Sequence, residues 1–121
     1  MSKLVLAVDD SPSMRMLLKA SLSAQGFTVE TAEDGLAGLD RLREVEPDLL
    51  ITDINMPRMD GFGLIEQVRS QGEHRALPIL VLSTEFSPEK KERARVAGAT
   101  GWITKPFDAD KLGAAIRRVC P

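Results

Sequence analysis

Five residues hold most of the chemistry this sequence offers: the adjacent pair Asp9 and Asp10, then Asp53, Ser83 and Lys105. Three carboxylates gathered within a few ångströms would repel one another by roughly 1–3 kcal/mol per pair at an effective dielectric of 20 or higher, so such a cluster requires a cation. The donors would all be hard oxygens, which Mg²⁺ accepts while keeping several waters and sharing phosphate oxygens. A lysine ammonium and a serine hydroxyl both suit a phosphoryl oxygen, the first as a mobile charge and the second as a donor. Each residue taken singly has an ordinary reading. Aspartate after a strand is common turn or cap chemistry, and Lys105 followed by Pro106 would serve any turn. Their meaning rests on whether the fold gathers them.

The elements that must do the gathering are legible in the hydrophobic pattern. Five short apolar, β-rich runs recur at Leu4 to Val8, Thr28 to Thr31, Leu49 to Thr52, Ile79 to Leu82 and Trp102 to Thr104. A helical pattern follows each. Ser11 caps the first helix with Pro12 in its first turn, and Met14, Leu17, Leu18 and Leu22 repeat at helical spacing before Gly26. The second repeats Leu36, Leu39, Leu42 and Val45 and closes at Pro47, and the third repeats Leu64, Ile65 and Val68 and closes at Gly72. Ser87 and Pro88 open a strongly charged fourth helix, and Asp108 caps a fifth through Leu112, Ile116 and Val119.

Runs such as LVLAV and ILVL are apolar on both faces, which fits a parallel sheet covered on both sides. The pattern is α/β, a (βα)5 doubly wound domain over residues 1–121, with nothing left over for an output domain. In such sheets ligands sit beyond the carboxyl ends of the strands. All five candidate residues fall there.

The chain has 121 residues, 43% hydrophobic and 28% charged, which suits one globular domain. Its formal net charge of −2 gives no reason to expect nucleic-acid binding. The charge is unevenly spread: residues 1–84 carry 8 Lys and Arg against 13 Asp and Glu, and residues 85–121 carry 8 against 5. A lone cysteine, Cys120, excludes an internal disulfide, and no segment is long and apolar enough for a membrane span, so a cytoplasmic location is expected.

Over its whole length the chain resembles the response-regulator receivers, most closely the single-domain chemotaxis type. The matching stretches are Asp9-Asp10, the D-I-N-M-P-x-M-D-G stretch from Asp53 to Gly61, Ser83, and Lys105-Pro106-Phe107. The resemblance implies a five-stranded parallel sheet in the flavodoxin-like order 2-1-3-4-5, with Asp53 as phosphoacceptor and Lys105 paired with the phosphoryl group. It further implies Mg²⁺ on Asp10, Asp53 and the backbone carbonyl of Asn55, with Asp9 acting largely through water. Ser83 would swing to the phosphoryl group and Trp102 would occupy the switch-aromatic position, held in most relatives by a smaller ring. Asn55 and Glu85 match positions that tune phosphoryl lifetime.

The implied partners are a histidine kinase of the CheA-like type and an output protein such as the flagellar motor switch, docked on the surface of helix 4, strand 5 and helix 5. The chain would be a monomer with no nucleic acid and no membrane. The alternative role is a phosphate sink or phosphoryl shuttle that works with a phosphotransfer protein. Either role makes it a phosphoacceptor with self-catalysed transfer and autodephosphorylation, not an enzyme acting on a separate substrate. FMN binding is set aside because the first loop reads DDSPS and Tyr is absent; a haloacid-dehalogenase-type phosphatase would need a D-x-D motif after strand 1. His74, the one histidine, lies between Glu73 and Arg75 and reads as a solvated surface residue.

Overall fold

Aliphatic runs four or five residues long become strands, and each is followed within a few residues by a side chain able to cap a helix. The computed structural model describes residues 2–121. The strands are β1 (Leu4–Val8), β2 (Thr28–Ala32), β3 (Leu49–Thr52), β4 (Ile79–Ser83) and β5 (Gly101–Thr104). Between and after them come α1 (Pro12–Ser23), α2 (Gly35–Val45), α3 (Gly61–Ser70), α4 (Pro88–Ala97) and α5 (Ala109–Val119). The sheet is parallel throughout, in the order β2-β1-β3-β4-β5. Ala32, Ser83 and Gly101 each lengthen a strand by one residue beyond its expected run.

Ser11, Asp34, Asp60, Ser87 and Asp108 each accept the backbone N–H three residues on and so fix where the five helices begin. Such a cap is worth about 1 kcal/mol. The loops at the carboxyl edge of the sheet are therefore short and held at their far ends.

Both faces of the sheet are covered, which explains the unbroken apolar runs. On one face Leu6, Val8, Leu50 and Val81 pack with Leu42 of α2 and Leu64 of α3. On the other, Val5, Ala7, Ile51 and Leu82 pack with Leu22 of α1 and Ile116 of α5.

Three expectations drawn from the sequence are corrected. Leu17 and Leu36 are exposed, because α1 and α2 each bury a narrower stripe than their leucines suggest. In α2 the close approach is made by Gly38, where a Cβ would press on the Val8 side chain. His74 is buried and not solvated. It ends a short 3₁₀ turn, Gly72–His74, whose carbonyl accepts from Arg69 at 3.0 Å, and this contact holds the link from α3 to β4 against the body.

Candidate functional site

The order of strands reverses direction around β1, whose successors β2 and β3 lie on opposite sides of it, and a cleft opens between β1 and β3 at their carboxyl ends. The parallel register places Val8 beside Thr52, so the residues that follow them are neighbours. The ladder continues one step further, with the Asp53 N–H donating to the Val8 carbonyl at 3.0 Å. Asp9 and Asp53 are buried and Asp10 is exposed. One carboxylate oxygen from each lies within 4.8 Å of the others, an all-oxygen set that could hold a metal ion.

Lys105 enters this cluster from the opposite end of the chain. Its backbone N–H donates to the Ser83 carbonyl at 2.8 Å, which aligns the segment after β5 with the end of β4. Its Nζ then donates to Asp9 Oδ2 and to Asp53 Oδ2, both at 2.8 Å. The other oxygen of each carboxylate accepts from backbone: Asp9 Oδ1 from Ser11 N–H at 2.9 Å and Asp53 Oδ1 from Ile54 N–H at 2.7 Å. Each buried carboxylate is thus fixed at both oxygens. Burial pushes the Lys105 ammonium toward losing its proton, but hydrogen bonds to Asp53 and Asp9 outweigh it and hold the group above the ordinary 10.5.

The segment from Asp53 to Gly61 wraps the mouth of the cleft. Gly61 donates its N–H to the Ile54 carbonyl at 2.8 Å, and a Cβ there would collide with the Asp53 carbonyl oxygen, so only glycine allows the chain to close so tightly. Arg58 takes the left-handed conformation, φ 66°. From there its guanidinium forks onto Asp34, Nε to Oδ2 at 2.7 Å and Nη2 to Oδ1 at 3.0 Å. That fork, helped by the Ala37 N–H, holds the Asp34 carboxyl below its ordinary 3.8.

On the other side of the cleft, the loop from β4 to α4 centres on Glu85. Its N–H donates to the buried Ser83 Oγ at 3.2 Å, and its carbonyl accepts from the Trp102 indole Nε1 at 3.1 Å. Its carboxylate accepts from Lys90 at 2.9 Å and from Asn55 Nδ2 at 3.3 Å. The Lys90 ammonium and then the Asn55 amide hold this carboxyl below the usual range.

The fold therefore unites Asp9, Asp10, Asp53 and Lys105 in one cluster and sets Asn55 and Glu85, bonded to each other, at its rim. The side chains of Ser83 and Trp102 grip the backbone of Glu85 and make no hydrogen bond to Asp9, Asp10 or Asp53. Sequence reasoning overlooked Arg15, whose Nη1 donates to the Asp9 carbonyl at 2.7 Å, and the Arg58–Asp34 fork. Asp34 carried a signal, a capping residue ahead of a helical pattern; Arg58 carried none, since its role depends on an unusual backbone angle.

Comparison with known proteins gives these features a context. Residues 5–117 match the family model described as the response regulator receiver domain. The chain is similar to the response regulator MprA of Mycobacterium bovis, 41% identical over 117 residues. That match covers 97% of this chain and 50% of the relative, so the chain spans about half the length of the curated relatives it matches. Among solved structures it is similar to the chemotaxis protein CheY4 of Vibrio cholerae, with TM-score 0.94 and 44% identity over 98% of this chain and 99% of that one. It is also similar to a signal receiver domain of a histidine kinase from Syntrophus aciditrophicus, with TM-score 0.90 and 31% identity over 98% of this chain and 90% of that one.

Proposed function

The chain belongs to the response regulator receiver domain family, and we propose that it takes a phosphoryl group from a histidine kinase onto Asp53 and acts as a signalling switch. The observation that carries this reading is the Lys105 ammonium bridging Asp9 and Asp53, two carboxylates from different strands, at the mouth of the switch-point cleft. A cation so placed pairs with the Asp53 carboxylate and, together with the Ile54 N–H, fixes its orientation.

In the transfer, a carboxylate oxygen of Asp53 forms a bond to phosphorus as the N–P bond of a phosphohistidine breaks, and the electron pair of that bond stays on the imidazole nitrogen. The Ile54 N–H holds Asp53 Oδ1 throughout, and Lys105 shifts its contact from Asp53 Oδ2 to a phosphoryl oxygen. Asp10, Asp53 and the backbone carbonyl of Asn55 fit the ligand preferences of Mg²⁺, with Asp9 acting through water, and the exposure of Asp10 leaves it free to bind. The ion would supply charge neutralisation for the phosphoryl oxygens.

Ser83 then leaves the Glu85 N–H for the phosphoryl group, which removes one of the two backbone restraints on Glu85 and leaves its side-chain contacts in place. Loss of that bond would change the surface of α4, β5 and α5. Lys91, Lys111 and Arg118 make that surface basic, which suits an acidic output protein such as a flagellar motor component. The 44% identity to a chemotaxis protein supports that assignment and, with it, a CheA-like kinase as donor in the cytoplasm.

Incubation with a radiolabelled phospho-kinase tests the reading. Label that is stable in acid and labile in base should appear on the wild type and vanish in Asp53→Asn. Equal labelling of the two would refute it. A pull-down with and without an acyl-phosphate mimic then separates a switch, which gains a partner, from a phosphate sink or shuttle, which gains none.

A further inference from the structure

Lys90 occupies a position where local rules ask for the opposite charge. It is the third residue of α4, counted from the Ser87 cap, and its own N–H donates to Ser87 Oγ at 3.2 Å. At that position a capping box places Glu or Gln, and the positive end of the helix dipole disfavours a cation. The helix gains nothing from a lysine there. The side chain instead turns to Glu85, five residues back, and its Nζ lies 2.9 Å from Glu85 Oε1.

The same Oε1 accepts from Asn55 Nδ2 at 3.3 Å. Lys90, Glu85 and Asn55 thus form a chain of contacts from α4, across the β4–α4 loop, to the loop that follows Asp53. Asn55 is exposed and two residues from Asp53, and without this chain its amide would be free to rotate in solvent. With its nitrogen end engaged by Glu85, its oxygen end is the acceptor left for water.

We propose that Lys90 is a positioning residue for loss of the phosphoryl group: by fixing Glu85 it orients the Asn55 amide, whose oxygen accepts a hydrogen bond from the water that attacks the aspartyl phosphate. The proposal rests on Asp53 being the phosphoacceptor. In the step itself the water oxygen bonds to phosphorus, the P–O bond to Asp53 breaks with its electron pair staying on the regenerated carboxylate, and both protons of the water leave with inorganic phosphate.

The test uses the full chain labelled with radioactive acetyl phosphate and Mg²⁺, followed by removal of the donor and measurement of the decay of label. Lys90→Gln should slow decay about three- to fivefold, the scale of one partly exposed ion pair. Lys90→Arg should restore it, and Lys90→Gln added to Glu85→Gln should slow it no further. Added salt should slow the wild type toward the Lys90→Gln rate and leave Lys90→Gln unchanged. A merely structural lysine would move none of the last three. Decay of Lys90→Gln at or above the wild-type rate, with label present on Asp53, overturns the proposal alone. Label retained by Asp53→Asn overturns the underlying reading as well.

Discussion

Trp102 on β5 and Glu85 after β4 are joined by a hydrogen bond from the indole Nε1 to the loop carbonyl, 3.1 Å long. The neighbouring N–H of Glu85 is held by Ser83 Oγ at 3.2 Å. One peptide segment is therefore gripped from both sides, and in the proposed switch the N–H that Ser83 would leave for a phosphoryl oxygen lies on the residue that anchors the indole. In the proposed switch the segment would be a two-state element, in which bonding at one end changes the restraint at the other.

Intrinsic emission should report that coupling, since Trp102 is the sole tryptophan. Beryllofluoride with Mg²⁺ is expected to change the emission maximum, and Ser83→Ala should weaken the change. Trp102→Phe should lower stability by about 1 kcal/mol through the lost hydrogen bond. An unaltered spectrum in protein shown to bind the mimic would mean that the indole stays fixed in both states.

Lys105→Met should destabilise the protein by about 3 kcal/mol at neutral pH, because it strands the buried carboxylates of Asp9 and Asp53. The sign of the pH dependence follows from the raised folded-state value of Lys105. The stabilisation is fully present below the ordinary lysine value of 10.5 and is lost as pH rises through the higher folded value. Denaturant melts of both proteins should therefore show a constant gap across neutral pH that closes only above about 10.5. A gap that closes near pH 8 would contradict the geometry.

Asp10→Asn should leave the metal-free melting temperature within a small margin of the wild type. Asp10 is exposed, and Lys105 already neutralises much of the charge of its two neighbours. Adding Mg²⁺ at 100 times its dissociation constant should stabilise the wild type by about 2.7 kcal/mol and Asp10→Asn by far less. Equal responses would remove Asp10 from the ligand set.

The alternation of strands and helices, the two-sided burial of the sheet and three of the capping residues, Ser11, Ser87 and Asp108, were legible in the sequence, because each depends on side chains a few residues apart; the caps Asp34 and Asp60 were not read. So was the placement of Asp9, Asp10, Asp53, Ser83 and Lys105 at strand ends. What could not be read was which backbone and side-chain atoms meet. Lys105 bonds to a carboxylate 96 residues away, and that contact exists only because β1, β3 and β5 share one sheet edge. Leu17 and Leu36 carried the helical period yet face solvent, and His74 sat among charged neighbours yet is buried, since tertiary packing and not local polarity decides exposure. The Arg58–Asp34 fork required a left-handed residue that no propensity foretells, and the Lys90–Glu85–Asn55 chain spans three segments. Hydrophobic periodicity and caps are local and so determined the elements; the contacts among their ends are long-range, and only the folded sheet decided them.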